Sequence, residues 1–113
     1  MIKVRRIYDP PGRRDGKRIL VDRLWPRGVK KENAAVDLWL REIAPSNKLR
    51  KWFGHDPDRW PEFRRRYRRE LEEKADLVRE LSSAARKGTI TLLYSAKDTE
   101  HNNALVLKEV IAA

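Results

Sequence analysis

The sequence contains three clusters of polar side chains whose types and spacing could do chemistry. One cluster follows an apolar run near the C-terminus and holds Ser95, Lys97, Asp98 and His101, which offer a hydroxyl, an ammonium, a carboxylate and an imidazole. The serine and the lysine are candidates for anion binding, and Asp98 and His101 are candidate catalytic acid–base groups. In the alternative, structural interpretation, Asp98 or Thr99 caps the following helix and His101 lies on the surface.

The second cluster, DRLWPRG, follows another apolar run. Arg23 and Arg27 stand four residues apart around a rigid Trp25-Pro26 pair, so their guanidinium groups could hold a phosphate or a carboxylate through bidentate hydrogen bonds. In the competing interpretation Asp22 forms a structural pair with Arg23, and Trp25 fills part of the core.

The third cluster, KLRKWFGHDP, places His55 beside Asp56. His55 is a candidate proton-transfer residue because imidazole titrates near neutral pH. Adjacent residues rarely form a working dyad, so a helix-capping or structural histidine is the competing interpretation. Trp52 and Phe53 are expected in the core rather than on a stacking surface.

Strands and helices must position these clusters. The nearly continuous apolar run TITLLY is typical of a strand buried on both faces, so we expect it to be central and Leu92 and Leu93 to be buried. We predict strands over residues 1–8, 19–21 and 89–94, and a segment at 36–43 that is strand or helix, with its alternation favouring a strand.

Helix signals separate these strands. Ser46 is the predicted N-cap of a short helix that runs to about Phe53 and ends at Gly54, and Asp56 or Asp58 is expected to cap the next helix. A long apolar stripe follows, with a break predicted near 72–76 and an end at 88. The last helix is expected over about 101–111. The pattern predicts one α/β domain over 1–113, with a small layered, mostly parallel sheet and helices packed on it.

Composition limits the classes of function. The chain has 113 residues, no cysteine and two histidines, which excludes disulfides and cysteine nucleophiles and argues against a metal site or a metal cofactor. No apolar stretch approaches the ~20 residues that span a bilayer, and the first residues lack the apolar run of a signal peptide. We therefore expect a cytoplasmic protein with no membrane partner and no cofactor; its oligomeric state stays open.

The charge is basic and uneven. The net charge is +10, and residues 1–56 hold 15 lysines and arginines against 7 acidic residues. A basic surface attracts phosphates, whether on a small ligand or on nucleic acid, although an arginine-rich composition alone would produce the same excess.

Three segments carry a resemblance to a known family: ILVDRLWPRGV, LREIAPSNKLRKWFGHDPDRWPEFRRRYRREL and ITLLYSAKDTEHNNALVL. Together they resemble the YeaO-like family of bacterial and archaeal proteins, classed as domain of unknown function 488. The resemblance covers almost the whole chain. It implies an α/β fold and a cytosolic location, and it implies no established activity. More distant members carry cysteines in the last loop, where this chain has Tyr94, so a thiol mechanism does not transfer. The residues that match the family's motifs are Asp22, Arg23, Trp25, Pro26, Arg27, Gly28, Trp52, His55, Asp98 and Asn102.

Two binding hypotheses follow from the sequence, and a third possibility is a protein-interaction subunit with no chemistry, which the size of any exposed apolar patch would test. The first is a pocket for an anionic small molecule where the three clusters meet at the C-terminal edge of the sheet, with catalysis undecided. The second is a nucleic-acid-binding module without sequence specificity, since no helix-turn-helix, zinc-finger or aromatic RNA-binding signature is present. The positions of six basic residues discriminate between these two binding hypotheses. One continuous stripe favours nucleic acid, whereas convergence of a few arginines in a pocket favours a small ligand. These residues are Arg5, Arg6, Arg13, Arg14, Lys17 and Arg18.

Overall fold

Four strands form a single parallel sheet in a computed structural model that describes all 113 residues. They are β1 (Ile2–Arg6), β2 (Lys17–Leu20), β3 (Leu38–Trp39) and β4 (Ile90–Tyr94). Their order across the sheet is β1-β4-β2-β3, and every neighbouring pair is parallel. The α/β class and the parallel sheet predicted from the sequence are confirmed.

The apolar strand β4 is central, as predicted. It pairs with β1 on one side and with β2 on the other. All five of its residues are buried, and Leu92 and Leu93 have no exposed surface. A strand covered on both faces needs apolar side chains at every position, which explains why the run does not alternate with polar residues.

Four α-helices connect and cover the strands: α1 (Asn47–Phe53), α2 (Trp60–Glu72), α3 (Ala75–Lys87) and α4 (Asn103–Ala112). The predicted break in the long apolar stripe is confirmed between α2 and α3. Helix α4 begins two residues after the predicted start, because Asn102 and not an earlier residue is its N-cap. None of the helices has the length and apolar character needed to cross a bilayer.

The two faces of the sheet are covered differently. The large core contains Ile19, Val21 and Leu92 together with the buried residues of all four helices. Leu20 and Leu93 point to the opposite face, where a smaller cluster is covered by loop segments instead. This alternation along β2 and β4 follows from the two-residue period of a strand.

The segment 36–43 departs from the longer strand that its alternation favoured. Only Leu38 and Trp39 form β3, and the chain then turns through a 3-10 helix, Arg41–Ile43. The Leu40 N–H still bonds to the Leu20 carbonyl at 2.9 Å, so pairing with β2 ends where the turn begins. The turn buries Ile43 completely in the large core, which outweighs extension of an edge strand.

Helix α1 is capped as the sequence predicts. The Ser46 hydroxyl accepts a hydrogen bond from the Leu49 N–H at 3.1 Å and donates one to the Glu70 carboxylate at 2.6 Å. At the other end Gly54 adopts the left-handed conformation, with φ 54°. Asp56, one of the two predicted caps for the next helix, instead caps a separate 3-10 turn, Pro57–Arg59, that precedes α2.

We predict that Ser46→Ala lowers the free energy of unfolding by about 1–2 kcal/mol, because it removes an N-cap and one of the two hydrogen bonds that Ser46 donates to the Glu70 carboxylate. Urea denaturation of the two proteins measures the difference. Ser83→Ala is the matched control, since Ser83 lies within α3 and its hydroxyl makes no side-chain hydrogen bond. Equal effects of the two substitutions would contradict the capping role.

Candidate functional site

A cavity of about 150 Å³ opens at the carboxyl ends of β2 and β4. In parallel α/β sheets this edge is where ligands usually bind. Its walls come from the segments after β2 and β4, from α1 and the turn behind it, and from the start of α4. The lining residues are Asp22, Arg23, Leu24, Pro45, Arg50, Phe53, His55, Phe63, Ser95, Ala96, His101, Asn102 and Asn103.

The segments after β2 and β4 are in direct contact, as the parallel topology led us to expect. The Asp22 carboxylate accepts hydrogen bonds from the Ser95 N–H at 2.9 Å and the Ser95 hydroxyl at 2.7 Å. The Asn103 side chain donates to the Val21 carbonyl at 2.9 Å and so ties the start of α4 to the end of β2. The Ser95 hydroxyl, predicted to bind an anion, is therefore already engaged with a carboxylate.

Burial raises the pKa of Asp22 above its usual value, although the Ser95 hydroxyl and N–H, the Asn103 amide and the nearby His55 favour the charged form. Asp22 is the only carboxylate that lines the cavity. Its two hydrogen bonds with Ser95 hold the two loops together. Because the carboxyl is buried there, it ionises less readily than a carboxyl in water.

The raised pKa of Asp22 gives a pH-dependent prediction. A folded-state pKa above the unfolded value means that stability is lost as the pH rises from about 4, the unfolded pKa of aspartate, through the higher folded value. Asp22→Asn keeps an oxygen that accepts from Ser95 and removes the charge. We expect the variant to gain stability relative to wild type across this pH range, measured by denaturation from pH 3 to 8. An unchanged difference between the two proteins over the whole range would refute the raised pKa.

Arg23 lines the cavity and is held by main-chain carbonyls. Its Nε donates to the Pro45 carbonyl at 3.1 Å and one terminal nitrogen donates to the Ala44 carbonyl at 3.3 Å. Ala44 and Pro45 are buried residues, so Arg23 supplies donors to carbonyls with little access to water, and Lys74 also donates to the Ala44 carbonyl. The other terminal nitrogen, Nη1, has no protein acceptor. The structural pair between Asp22 and Arg23 considered from the sequence does not form.

Arg50 is a second guanidinium at the cavity, and the three clusters had not singled it out. It lies on α1, is exposed, and makes one long side-chain contact, 3.4 Å to Asn47. The sequence already placed Arg50 in the third cluster, five residues before His55. Only the fold shows that Arg50 and Arg23 line the same cavity.

His101 and Asp98 form a paired imidazole and carboxylate. The His101 Nδ1 lies 2.9 Å from the Asp98 carboxylate, and the ring meets Trp60 edge-on at 5.3 Å between centroids. The other Asp98 oxygen accepts from the N–H groups of Glu100 and His101. The Glu100 N–H and His101 together hold the pKa of Asp98 below its usual value. An ionised Asp98 directs the Nδ1 proton of His101 toward itself and leaves Nε2 as the acceptor in the neutral ring.

His55 stands across the cavity on a strained piece of backbone. Its φ is 58°, and it follows Gly54, which is also left-handed, so two consecutive residues adopt this conformation. A non-glycine residue with positive φ is uncommon, although histidine tolerates it better than most, and such residues cluster at functional sites. The turn exposes His55 at the cavity instead of continuing α1.

The remaining predicted site residues lie elsewhere or have structural contacts. Arg27, Lys97 and Asp98 do not line the cavity, although Asp98 contacts His101, which does. The Trp25 indole donates to the Val29 carbonyl at 2.7 Å and packs against Trp39, which agrees with the core interpretation of Trp25. Pro26 is buried, and Gly28 has the positive φ of a turn.

Two more motif residues have clear structural partners. The Asn102 side chain caps α4 by accepting from the Leu105 N–H at 3.1 Å, and it also donates to the Asp98 carbonyl. Trp52 is half-buried against the large core, and the Arg66 guanidinium lies 4.3 Å from its ring centre. No group of three histidine, aspartate or glutamate side chains converges closely enough to hold a metal ion.

The fold and this site define a small parallel α/β domain with one polar cavity at the carboxyl edge of its sheet. The chain belongs to the family described as the "Inactive DUF488-N3 subclade", whose model matches residues 1–113. This confirms the resemblance to the YeaO-like proteins.

Relatives in bacteria match the chain over nearly their full length. The chain is 48% identical to "Uncharacterized protein YeaO" of Escherichia coli (strain K12) over 108 residues, which cover 96% of this chain and 94% of that protein. It is 36% identical over 110 residues to uncharacterized proteins of Mycobacterium bovis and of Mycobacterium tuberculosis, covering 97% of this chain and 92% of theirs. No solved structure matches the chain.

Proposed function

We propose that this protein binds a small molecule carrying a phosphate or carboxylate group, in the cavity at the carboxyl edge of the sheet. The observation that carries the proposal is the charge of the cavity wall. Two guanidinium groups and two imidazoles face one carboxylate there. That carboxylate, Asp22, accepts from Ser95 and forms no ion pair with either arginine, and one carboxylate offsets at most one of the two guanidinium charges.

The free hydrogen-bond donors favour an anion as the occupant. Arg23 is fixed by two carbonyls and keeps Nη1 unused, while Arg50 is almost unengaged. A guanidinium carries five N–H donors and no acceptor, so unused donors of this kind are best satisfied by oxyanions. The N-terminus of the ten-residue helix α4 adds a partial positive charge on the same side.

Binding without turnover is the function that the site supports best. His55 and His101 line the cavity, whereas Asp98 contacts His101 from outside the lining. The one hydroxyl of the wall, on Ser95, donates to Asp22 and does not contact either imidazole, so no histidine activates it as a nucleophile. The family description, an inactive subclade, supports the same interpretation. In this proposal the two histidines contact the ligand and do not transfer its protons.

Three of the six basic residues that were to discriminate between the hypotheses are engaged by contacts within the protein. Arg18 is buried and paired with Asp15. Arg5 also contacts Asp15, and the Arg6 Nε donates to the Ala96 carbonyl at 2.9 Å. The other three, Arg13, Arg14 and Lys17, are exposed. This distribution weighs against one continuous basic stripe, and the support for a small ligand comes instead from Arg23 and Arg50, which line the cavity.

The test compares anion-dependent melting temperatures of wild type, Arg50→Gln and Arg27→Gln. A panel of phosphate, sulfate, phenyl phosphate and benzoate is used at constant ionic strength, together with a DNA oligonucleotide. We expect at least one small anion to raise the melting temperature of wild type. Arg50→Gln should weaken that anion's binding by about 1.5–3 kcal/mol, the range for a hydrogen bond to a charged group.

Arg27→Gln is the matched control, because it removes the same charge from a loop position outside the cavity. It should respond to anions as wild type does. If no small anion shifts any of the three proteins, or if both substitutions reduce the shift equally, the proposed site is wrong. A shift with the oligonucleotide alone would favour the nucleic-acid alternative.

A further inference from the structure

The cavity wall has an apolar part that the charge argument does not use. Five of its lining residues are apolar: Leu24, Pro45, Phe53, Phe63 and Ala96. Phe53 and Phe63 stack on each other with ring centres 4.3 Å apart and are nearly fully buried, so they form a rigid wall. A cavity built only for an inorganic anion would have no use for this surface.

Leu24 is the most informative of these residues. It is 59% exposed, one of only four large apolar side chains that the fold leaves in water. The others are Met1, Tyr8 and Leu38, and none of them lines the cavity. A ligand with an apolar group placed against Leu24 would remove that exposed surface from water, which is favourable.

We propose that the ligand is an organic anion whose phosphate or carboxylate is attached directly to a compact apolar group, such as a small aromatic ring. This inference rests on the proposed anion-binding function and adds the class of ligand. The anionic end would lie toward Arg23 and Arg50, and the apolar end would contact Leu24 and the Phe53–Phe63 wall.

Paired ligands separate the two contributions. We expect phenyl phosphate to bind at least tenfold more tightly than inorganic phosphate, and benzoate at least tenfold more tightly than acetate. Burial of about 60 Å² of apolar surface is enough for a tenfold change. Benzamide has the shape of benzoate without its charge and should bind more weakly than benzoate. Isothermal titration calorimetry on the full chain measures all five.

Leu24→Ala tests the apolar contact without disturbing the core, because Leu24 is mostly exposed. It should weaken phenyl phosphate and benzoate about three- to tenfold and leave inorganic phosphate unchanged. Leu38→Ala is the matched control, since Leu38 is also exposed, at 37%, and lies outside the cavity. It should change none of the affinities.

The outcomes distinguish the inference from the function on which it rests. Equal affinities for phenyl phosphate and inorganic phosphate, or equal effects of Leu24→Ala and Leu38→Ala, would overturn the organic ligand and leave anion binding intact. Binding of benzamide as tight as that of benzoate would instead overturn anion recognition itself. Absence of binding by every anion would overturn both.

Discussion

Asp15→Asn is expected to lower the free energy of unfolding by about 3–5 kcal/mol, the usual effect of removing one partner of a buried ion pair. Asp15 and Arg18 are 1% and 4% exposed and form a salt bridge inside the protein. The substitution would leave the Arg18 charge buried with no counter-ion. The free energy of unfolding of a typical domain is only about 5–15 kcal/mol. A loss of this size should therefore be clear in urea denaturation.

Asp15 holds more than one partner. The same carboxylate accepts from the Gly12 N–H at 2.8 Å and lies 3.5 Å from Arg5, and the Asp15 carbonyl accepts from the Thr91 hydroxyl on β4. Burial opposes ionisation of the carboxyl, but the Gly12 N–H and the two arginines outweigh it and hold the pKa of Asp15 below its usual value. Through its carboxylate and its main-chain carbonyl, Asp15 therefore links the loop after β1 to the central strand.

The lowered pKa fixes the pH dependence of this effect. The stability from ionised Asp15 is fully present above its unfolded pKa, about 4, and is lost as the pH falls through the lower folded value. The difference between wild type and Asp15→Asn should accordingly shrink in acid.

Asp76→Asn is the control for Asp15→Asn, because Asp76 pairs with Arg79 on the surface of α3, where both side chains are largely exposed. Its effect should be about 0–1 kcal/mol. Comparable effects of the two substitutions at neutral pH would contradict the account of the buried pair.

Gly16→Ala should be the second severe substitution, with a loss of about 2–5 kcal/mol from backbone strain and overpacking together. Gly16 has φ 63°, and a Cβ atom added there would lie 2.0 Å from the Thr89 carbonyl oxygen. That oxygen also accepts from the Lys17 N–H at 3.1 Å, so it cannot move without breaking the start of the β2–β4 pairing.

Gly54→Ala separates strain from the close approach. Gly54 has a similar φ of 54°, but its added Cβ would find its nearest neighbour at 3.6 Å, an ordinary contact. This control should lose only the strain, about 1–2 kcal/mol. If chemical denaturation shows equal losses for Gly16→Ala and Gly54→Ala, the steric argument at Gly16 does not hold.

The sequence predicted those parts of the fold that depend on apolar pattern and on local capping. The central strand β4, the break between α2 and α3 and the Ser46 cap were all predicted, because each depends on side-chain type at fixed spacing. The buried pair of Asp15 and Arg18 was not, since the polar residues 13–17 around a glycine have the composition of an exposed loop. Only the position of that loop over the β2–β4 start buries two charges.

For the candidate site, the sequence predicted which loops meet but not which of their side chains line the cavity. Parallel strands placed the segments after β2 and β4 side by side, so Arg23 and His101 could be expected near each other. Which side chains face the cavity depends on the loop paths, and these put Arg50 and Asn103 in the wall and left Arg27 and Lys97 outside. Charge and spacing along a loop do not determine the direction of a side chain.

The most direct measurement of the central claim is an NMR titration of the ¹⁵N-labelled protein with phenyl phosphate. Anion binding in the cavity predicts saturable shifts of the backbone amides of Ser95, Asn102 and Asn103, with a single dissociation constant. Amides of α3, on another part of the molecule, should stay unchanged, and Arg50→Gln should weaken the response. Shifts scattered over the exposed arginines without saturation, or no shift at the cavity, would contradict the claim.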